Sequence, residues 1–110
     1  MSISDDLAER IRGLVGLDPR VTEKRMFGGL TFLLNGKIMV AARRTGTLLV
    51  QCGAANAAEV TTEPGVTQMI MRGKPTPNFV DVDYDRLETD DDLGRWIALA
   101  ERYLSSLASD

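Results

Sequence analysis

The sequence has 110 residues, of which 44% are hydrophobic and 26% are charged, and its net charge is −3. This length supports one hydrophobic core, so we treat residues 1–110 as a single domain. One cysteine, Cys52, excludes an intrachain disulfide and a multi-cysteine metal site, and the lack of histidine removes the commonest metal ligand and general base. We therefore expect a non-enzymatic protein without a cofactor or a metal.

The opening residues lack the basic start and the apolar run of a secretory signal. No apolar stretch approaches the ~20 residues that a membrane-spanning helix needs. These patterns predict a cytoplasmic protein that does not contact a membrane.

Charge is distributed unevenly along the chain. Residues 20–44 contain six basic residues and one acidic residue, whereas residues 81–92 contain seven acidic residues and one arginine. Two solvated faces are the favoured interpretation, because exposed charge mostly serves solubility. An anion-binding face and two mutually attracting halves of the fold are the alternatives.

The first element is a predicted helix at about residues 4–15, with apolar residues at helical spacing and Ser4 as an N-cap. Gly16 and the Asp18-Pro19 pair end it, because proline disfavours a helical conformation in the residue before it.

The next segment raises the question of why two glycines follow a strand-forming run in RMFGG, residues 25–29. We prefer one strand over residues 24–34 with a bulge or bend at Gly28-Gly29. The alternative is a tight hairpin of residues 25–27 and 30–32 with Gly28-Gly29 as its two-residue turn. Asn35-Gly36 predicts a type I′ turn into a second strand, residues 37–44. A turn at Thr45-Gly46 then leads into a third strand, residues 48–52.

The second half predicts a short helix at residues 54–60 and two strands, residues 68–72 and 78–83. The loop at residues 73–77 separates these strands, and its prolines suit a loop or a sheet edge. A long helix follows the cap residue Thr89. The predicted order is α-β-β-β-α-β-β-α, which gives an α+β fold: a two-layer α/β sandwich with helices on one face of an antiparallel sheet.

Several motifs together resemble the N-terminal domain of the TfoX/Sxy family of competence regulators. They are EKRMFGGLTFLLNGKIMV, EPG, MRGKP and TDDDLGRWI, within about residues 21–96. The resemblance implies a two-layer fold similar in order to secretion-chaperone-like folds, with the glycine pair inside the first strand.

The same resemblance implies a regulatory role. Full-length family members continue into a helical C-terminal domain and regulate natural-competence genes alongside a cyclic-AMP-responsive transcription factor. This chain stops at residue 110, so we expect a stand-alone N-terminal domain. The resemblance therefore supports the fold more directly than a role in competence.

Two segments supply candidate binding residues. In the first, the bare backbone at Gly28-Gly29, flanked by Arg25 and Phe27, could dock a ligand or a partner, although a purely structural bend is the favoured alternative. In the second, Arg72 and Lys74 could hold a phosphate or a carboxylate in a basic loop, although an ordinary polar loop is favoured.

Other groups have simpler expected roles. Arg43-Arg44 would lie at a hairpin tip, where contact with a nucleic-acid backbone is possible. Asp81, Asp83 and Asp85 would share one face if their strand continued through Tyr84 and could then bind a hard cation, although a solvated strand face is favoured. Cys52 is expected to be a small buried hydrophobic residue. The strand methionines are expected to fill the core, with a methionine-rich partner surface as the alternative for Met69 and Met71.

The leading functional hypothesis is a regulatory or protein-interaction domain with an unidentified protein partner. The rival is a small-anion-binding protein or enzyme that uses Arg25, Arg72 and Lys74. A third hypothesis is direct DNA contact through residues 20–44, which the acidic total and the few aromatic residues disfavour. A homodimer could form if an open strand edge pairs across a two-fold axis.

Overall fold

The computed structural model of the protein describes residues 3–108. Three α-helices and six β-strands form in this part of the chain, with a single 3-10 turn at Tyr84–Arg86. The helices are α1 (Ile3–Val15), α2 (Ala54–Val60) and α3 (Asp90–Ala108). The strands are β1 (Val21–Met26), β2 (Gly29–Leu34), β3 (Lys37–Arg43), β4 (Leu48–Gln51), β5 (Val66–Met71) and β6 (Lys74–Val82).

The six strands form one antiparallel sheet in the order β1-β2-β3-β4-β6-β5. Helix α1 packs on β2 and β3, α3 packs on β3 and β4, and α2 packs on β6. The core lies between these two layers, and Trp96 and Phe32 are the largest of its fully buried side chains. The α+β class with helices packed on an antiparallel sheet is therefore confirmed.

The prediction of one strand over residues 24–34 is wrong. The chain reverses at Phe27-Gly28, and Met26 pairs with Gly29 in the antiparallel hairpin of β1 and β2. Both turn residues have positive φ, 58° at Phe27 and 70° at Gly28, as a type I′ turn requires. The sheet consequently has one strand more than predicted.

The two longer helices form where the sequence pattern predicts them. Helix α3 begins with a reciprocal cap, because the Asp92 N–H donates to the Thr89 hydroxyl at 3.0 Å and the Thr89 N–H donates to the Asp92 carboxylate at 3.3 Å. These bonds satisfy two backbone groups that a helix start would otherwise leave unpaired. None of the helices within residues 3–108 combines the length and the apolar character needed to span a membrane.

The predicted loop at residues 73–77 is shorter in the structure. Arg72 and Gly73, both with positive φ, form a two-residue turn, and β6 already begins at Lys74. The β5–β6 register then breaks between the pairs Ile70–Pro75 and Gln68–Val80. Pro75 is paired with Ile70, and both prolines lie before Phe79, where the pairing of β6 with β4 begins. They therefore lie outside the ladder with β4.

A smaller apolar cluster lies on the second face of the sheet. Ala41, Leu49 and Met69 are buried there, and Phe27, Met71 and Phe79 pack around them. Because side chains alternate across a strand, Ala41 points away from its neighbours Val40 and Ala42, which belong to the core under the helices. Side chains of the sheet and of the β1–β2 turn pack against one another in this cluster.

Candidate binding groove

The two glycines of the β1–β2 hairpin are needed for different physical reasons. Gly28 has open space around it but a φ of +70°, so its conformation is the constraint. At Gly29, a Cβ atom would lie 1.9 Å from the Ala42 carbonyl oxygen, so space is the constraint. The pair thus allows a tight turn and then a close approach of β2 to the backbone of β3.

This hairpin forms one wall of a groove with a volume of about 940 Å³, and α1 forms the opposite wall. The Arg44 N–H donates to the Gly28 carbonyl at 3.0 Å, which fixes the end of β3 against the turn. The lining residues come from α1, the hairpin and the end of β3: Ser4, Asp5, Ala8, Glu9, Arg12, Arg25, Met26, Gly28, Gly29, Leu30, Ala42 and Arg44.

The groove contains three arginines, of which Arg12 alone forms an ion pair with another described residue. Arg12 donates two hydrogen bonds to Glu23, at 2.8 and 2.9 Å, and this contact lowers the pKa of Glu23 and raises the pKa of Arg12. Within residues 3–108, no carboxylate lies within ion-pair distance of Arg25 or Arg44. Two exposed guanidinium groups are therefore available to a ligand at this groove.

Phe27 does not face this groove. Its ring lies 6.4 Å from the ring of Phe79 and packs on the smaller cluster of the second face. The buried Thr31 hydroxyl supports the turn by donating to the Met26 carbonyl at 3.1 Å. Of the predicted first site, Arg25, Gly28 and Gly29 thus line the groove, whereas Phe27 anchors the turn on the other side.

Arg72 lies in the β5–β6 turn and Lys74 follows it, and both are absent from the groove lining. Strand β5 is one edge of the sheet and β1 is the other. The structure therefore does not bring Arg25 together with Arg72 and Lys74, and a three-residue anion site made from them does not form.

The basic segment at residues 20–44 is not one free surface. Arg20 contacts Asp18 at 2.7 Å and Glu101 at 3.7 Å, and hydrogen bonds from Arg20 lower the pKa of Asp18 to about 2. Arg43 contacts Asp81 at 2.6 Å on the second face of the sheet. Because these arginines already have carboxylate partners, the geometry gives no support to a continuous DNA-binding face.

The predicted row of three carboxylates does not form. Strand β6 ends at Val82, and Asp83 instead precedes the 3-10 turn that contains Asp85. Asp81 accepts from Arg43 and from the Thr47 hydroxyl. Among the residues that the structure describes, no group of three or more cysteine or acidic side chains is arranged to hold a metal ion.

The prediction that Cys52 is a buried hydrophobic residue is confirmed. Its side chain is fully buried in the main core, and burial raises the pKa of its thiol to about 11. The thiol is therefore neutral at physiological pH, and a neutral thiol is a poor nucleophile.

Sequence reasoning missed the α1 wall and the place of Arg44 beside Arg25. Helical spacing could have shown that Asp5, Glu9 and Arg12 share one face of α1. Nothing local to the sequence shows that the β1–β2 hairpin lies opposite this face, because that depends on the strand order.

The fold and the groove define a class of protein: a small two-layer α+β domain with a groove lined by apolar, basic and acidic residues. The family model described as the TfoX N-terminal domain matches residues 14–103, most of the chain, and the chain belongs to this family. Comparison with curated proteins and with solved structures gave no significant match.

Proposed function

We propose that the protein is a non-enzymatic, cytoplasmic interaction domain whose groove binds an acidic segment of a partner protein. The observation that carries the proposal is the pair Arg25 and Arg44, which have no carboxylate partner within the described chain and stand beside apolar groove residues. A guanidinium binds a carboxylate through two parallel hydrogen bonds, so this pair suits aspartate or glutamate side chains.

The groove lining also favours a peptide over a lone ion. Met26 and Leu30, which are partly exposed, supply apolar surface, and Asp5 and Glu9 add acidic groups on the α1 wall. The volume of about 940 Å³ lies near the upper end of the usual range for ligand sites, roughly 300–1,000 Å³. An extended segment with apolar and acidic residues could use both kinds of surface.

A regulatory role is part of the proposal. Membership of the TfoX N-terminal domain family supports it, because the competence regulators that this chain resembles contain such a domain. In this view the domain would act by binding another protein, and a link to competence genes would depend on which protein that is.

The proposal can be tested by selecting binders from a random peptide library displayed on phage. We expect the selected peptides to be enriched in aspartate and glutamate near an apolar residue. Their affinity should fall at least about tenfold in the Arg25→Glu/Arg44→Glu variant, since charge-assisted hydrogen bonds contribute roughly 1.5–3 kcal/mol each.

A matched control is available in Lys37→Glu/Arg102→Glu. Both residues are exposed and outside the groove, and the change in net charge is the same as in the groove variant. Peptides without an acidic preference, or an equal loss of affinity in both variants, would contradict the proposal.

A further inference from the structure

The two edges of the sheet differ in their protection against pairing with another strand. Edge strand β1 carries Glu23, Lys24 and Arg25 in its centre, and such charges discourage association. Edge strand β5 has the sequence VTQMIM, without a charged residue or a proline. An uncharged, unpaired edge of this kind is a template for another strand.

Backbone groups of β5 are also available on the free side. The Asp83 N–H donates to the Gly65 carbonyl at 2.8 Å, which marks a hydrogen-bonded pair of the ladder with β6. Because such pairs alternate in an antiparallel ladder, Gln68 directs its N–H and C=O groups toward the open edge. The Val66 C=O points the same way, whereas the Val66 N–H donates to the Glu63 carbonyl at 3.3 Å.

The side chain of Ile70 is left exposed on the same strand. Its relative exposure is 57%, whereas Val66, four residues earlier, is buried at 3%. Alternation places Val66, Gln68 and Ile70 on one face of β5, with Gln68 between the two apolar residues. This arrangement is symmetric about Gln68.

We propose that β5 pairs antiparallel with β5 of a second copy of the chain, with the two-fold axis at Gln68. In this register each Gln68 faces the other, and each Ile70 faces Val66 of the second copy. Pairing would cover the exposed Ile70 side chain of each copy, and the lack of charge on β5 avoids like-charge repulsion across the axis. The two six-stranded sheets would become one continuous sheet.

The symmetry of the segment favours a second copy over an unrelated strand, because one two-fold rotation pairs the open β5 edges of both copies with each other. The groove is built on β1 and β2, at the opposite end of the strand order. It would stay open in the dimer, so the dimer and the groove can be tested separately.

Sedimentation equilibrium tests the association, and the variant of choice is Ile70→Lys. We expect the wild type to be a dimer and Ile70→Lys to be a monomer with an unchanged circular dichroism spectrum. Leu17→Lys is the matched control, because Leu17 is fully exposed outside the sheet, and this variant should remain a dimer. A monomeric wild type up to its solubility limit, or an Ile70→Lys variant that is still a dimer, would overturn the proposal.

A cysteine at the axis tests the register. Residues directly opposite in a hydrogen-bonded antiparallel pair have Cα atoms about 5.5 Å apart, within the range for a disulfide. Gln68→Cys should therefore form a cross-linked dimer under mild oxidation, whereas Ile70→Cys, opposite Val66, should not. Native Cys52 is buried and should not interfere. Equal cross-linking of both variants, or none at Gln68→Cys, would refute this register.

Discussion

Replacing Gly29 by alanine tests why the hairpin has two glycines. The added Cβ would lie 1.9 Å from the Ala42 oxygen and 2.9 Å from the Arg43 Cα atom, so the backbone of β2 or β3 would have to move. Overpacking typically costs about 1–3 kcal/mol, and each ladder hydrogen bond lost at this end costs about 1 kcal/mol more. We expect Gly29→Ala to lower the free energy of unfolding by about 2–4 kcal/mol.

Gly28→Ala is the matched comparison, since the space around Gly28 is open and only its positive φ opposes a side chain. Its expected cost is about 1–2 kcal/mol. Urea denaturation followed by circular dichroism measures both variants, and both should stay folded because a domain of this size has roughly 5–15 kcal/mol of stability. If Gly29→Ala is no more destabilising than Gly28→Ala, the argument from close backbone approach is incorrect.

Three further predictions concern other parts of the fold. Asp81→Ala should lower the free energy of unfolding by about 1–3 kcal/mol, because it leaves the half-buried Arg43 without its carboxylate partner. In urea denaturation, adding Arg43→Met to this variant should recover part of the loss. If the effects of the two single substitutions simply add, the pairing of Arg43 with Asp81 is contradicted. Thr89→Ala should lower the free energy of unfolding by about 1 kcal/mol, because it removes the hydroxyl that caps α3. An unchanged unfolding midpoint would argue against this role of the cap. Native Cys52 should react far more slowly with iodoacetamide at pH 8 than the unfolded chain does. Fast alkylation of the native protein would contradict the burial of Cys52. Because burial raises the pKa of the Cys52 thiol above its unfolded value, the stability that the neutral thiol contributes should be lost as pH rises from about 9 through about 11.

Local signals in the sequence predicted much of the fold. Asn35-Gly36 correctly predicted the hairpin of β2 and β3, and Thr89 correctly predicted the start of α3. Each of these features depends on the conformational preference of one or two residues. The Phe27-Gly28 turn was missed, because phenylalanine rarely adopts a positive φ. Packing of Phe27 against Phe79, distant in sequence, accompanies this strained conformation. Such tertiary packing has no local sequence signal.

The candidate groove was predicted only in part. Arg25, Gly28 and Gly29 line the same groove and are close together in the sequence. Arg44 joins them only through the register of β2 with β3, which pairs Gly29 with Arg43. Arg72 and Lys74 lie at a separate turn, since the β5–β6 hairpin was not placed relative to β1 by any sequence pattern.

The most direct test of the proposed function is an NMR titration of the ¹⁵N-labelled protein. The probe is a synthetic peptide of alternating glutamate and leucine. We predict saturable shifts in the amide signals of Gly28, Gly29, Leu30 and Arg44, with no shift at Arg72 or Lys74, and loss of these shifts in the Arg25→Glu/Arg44→Glu variant. Unchanged groove signals at saturating peptide, or shifts centred on the β5–β6 turn, would contradict the assignment of this groove as the binding site.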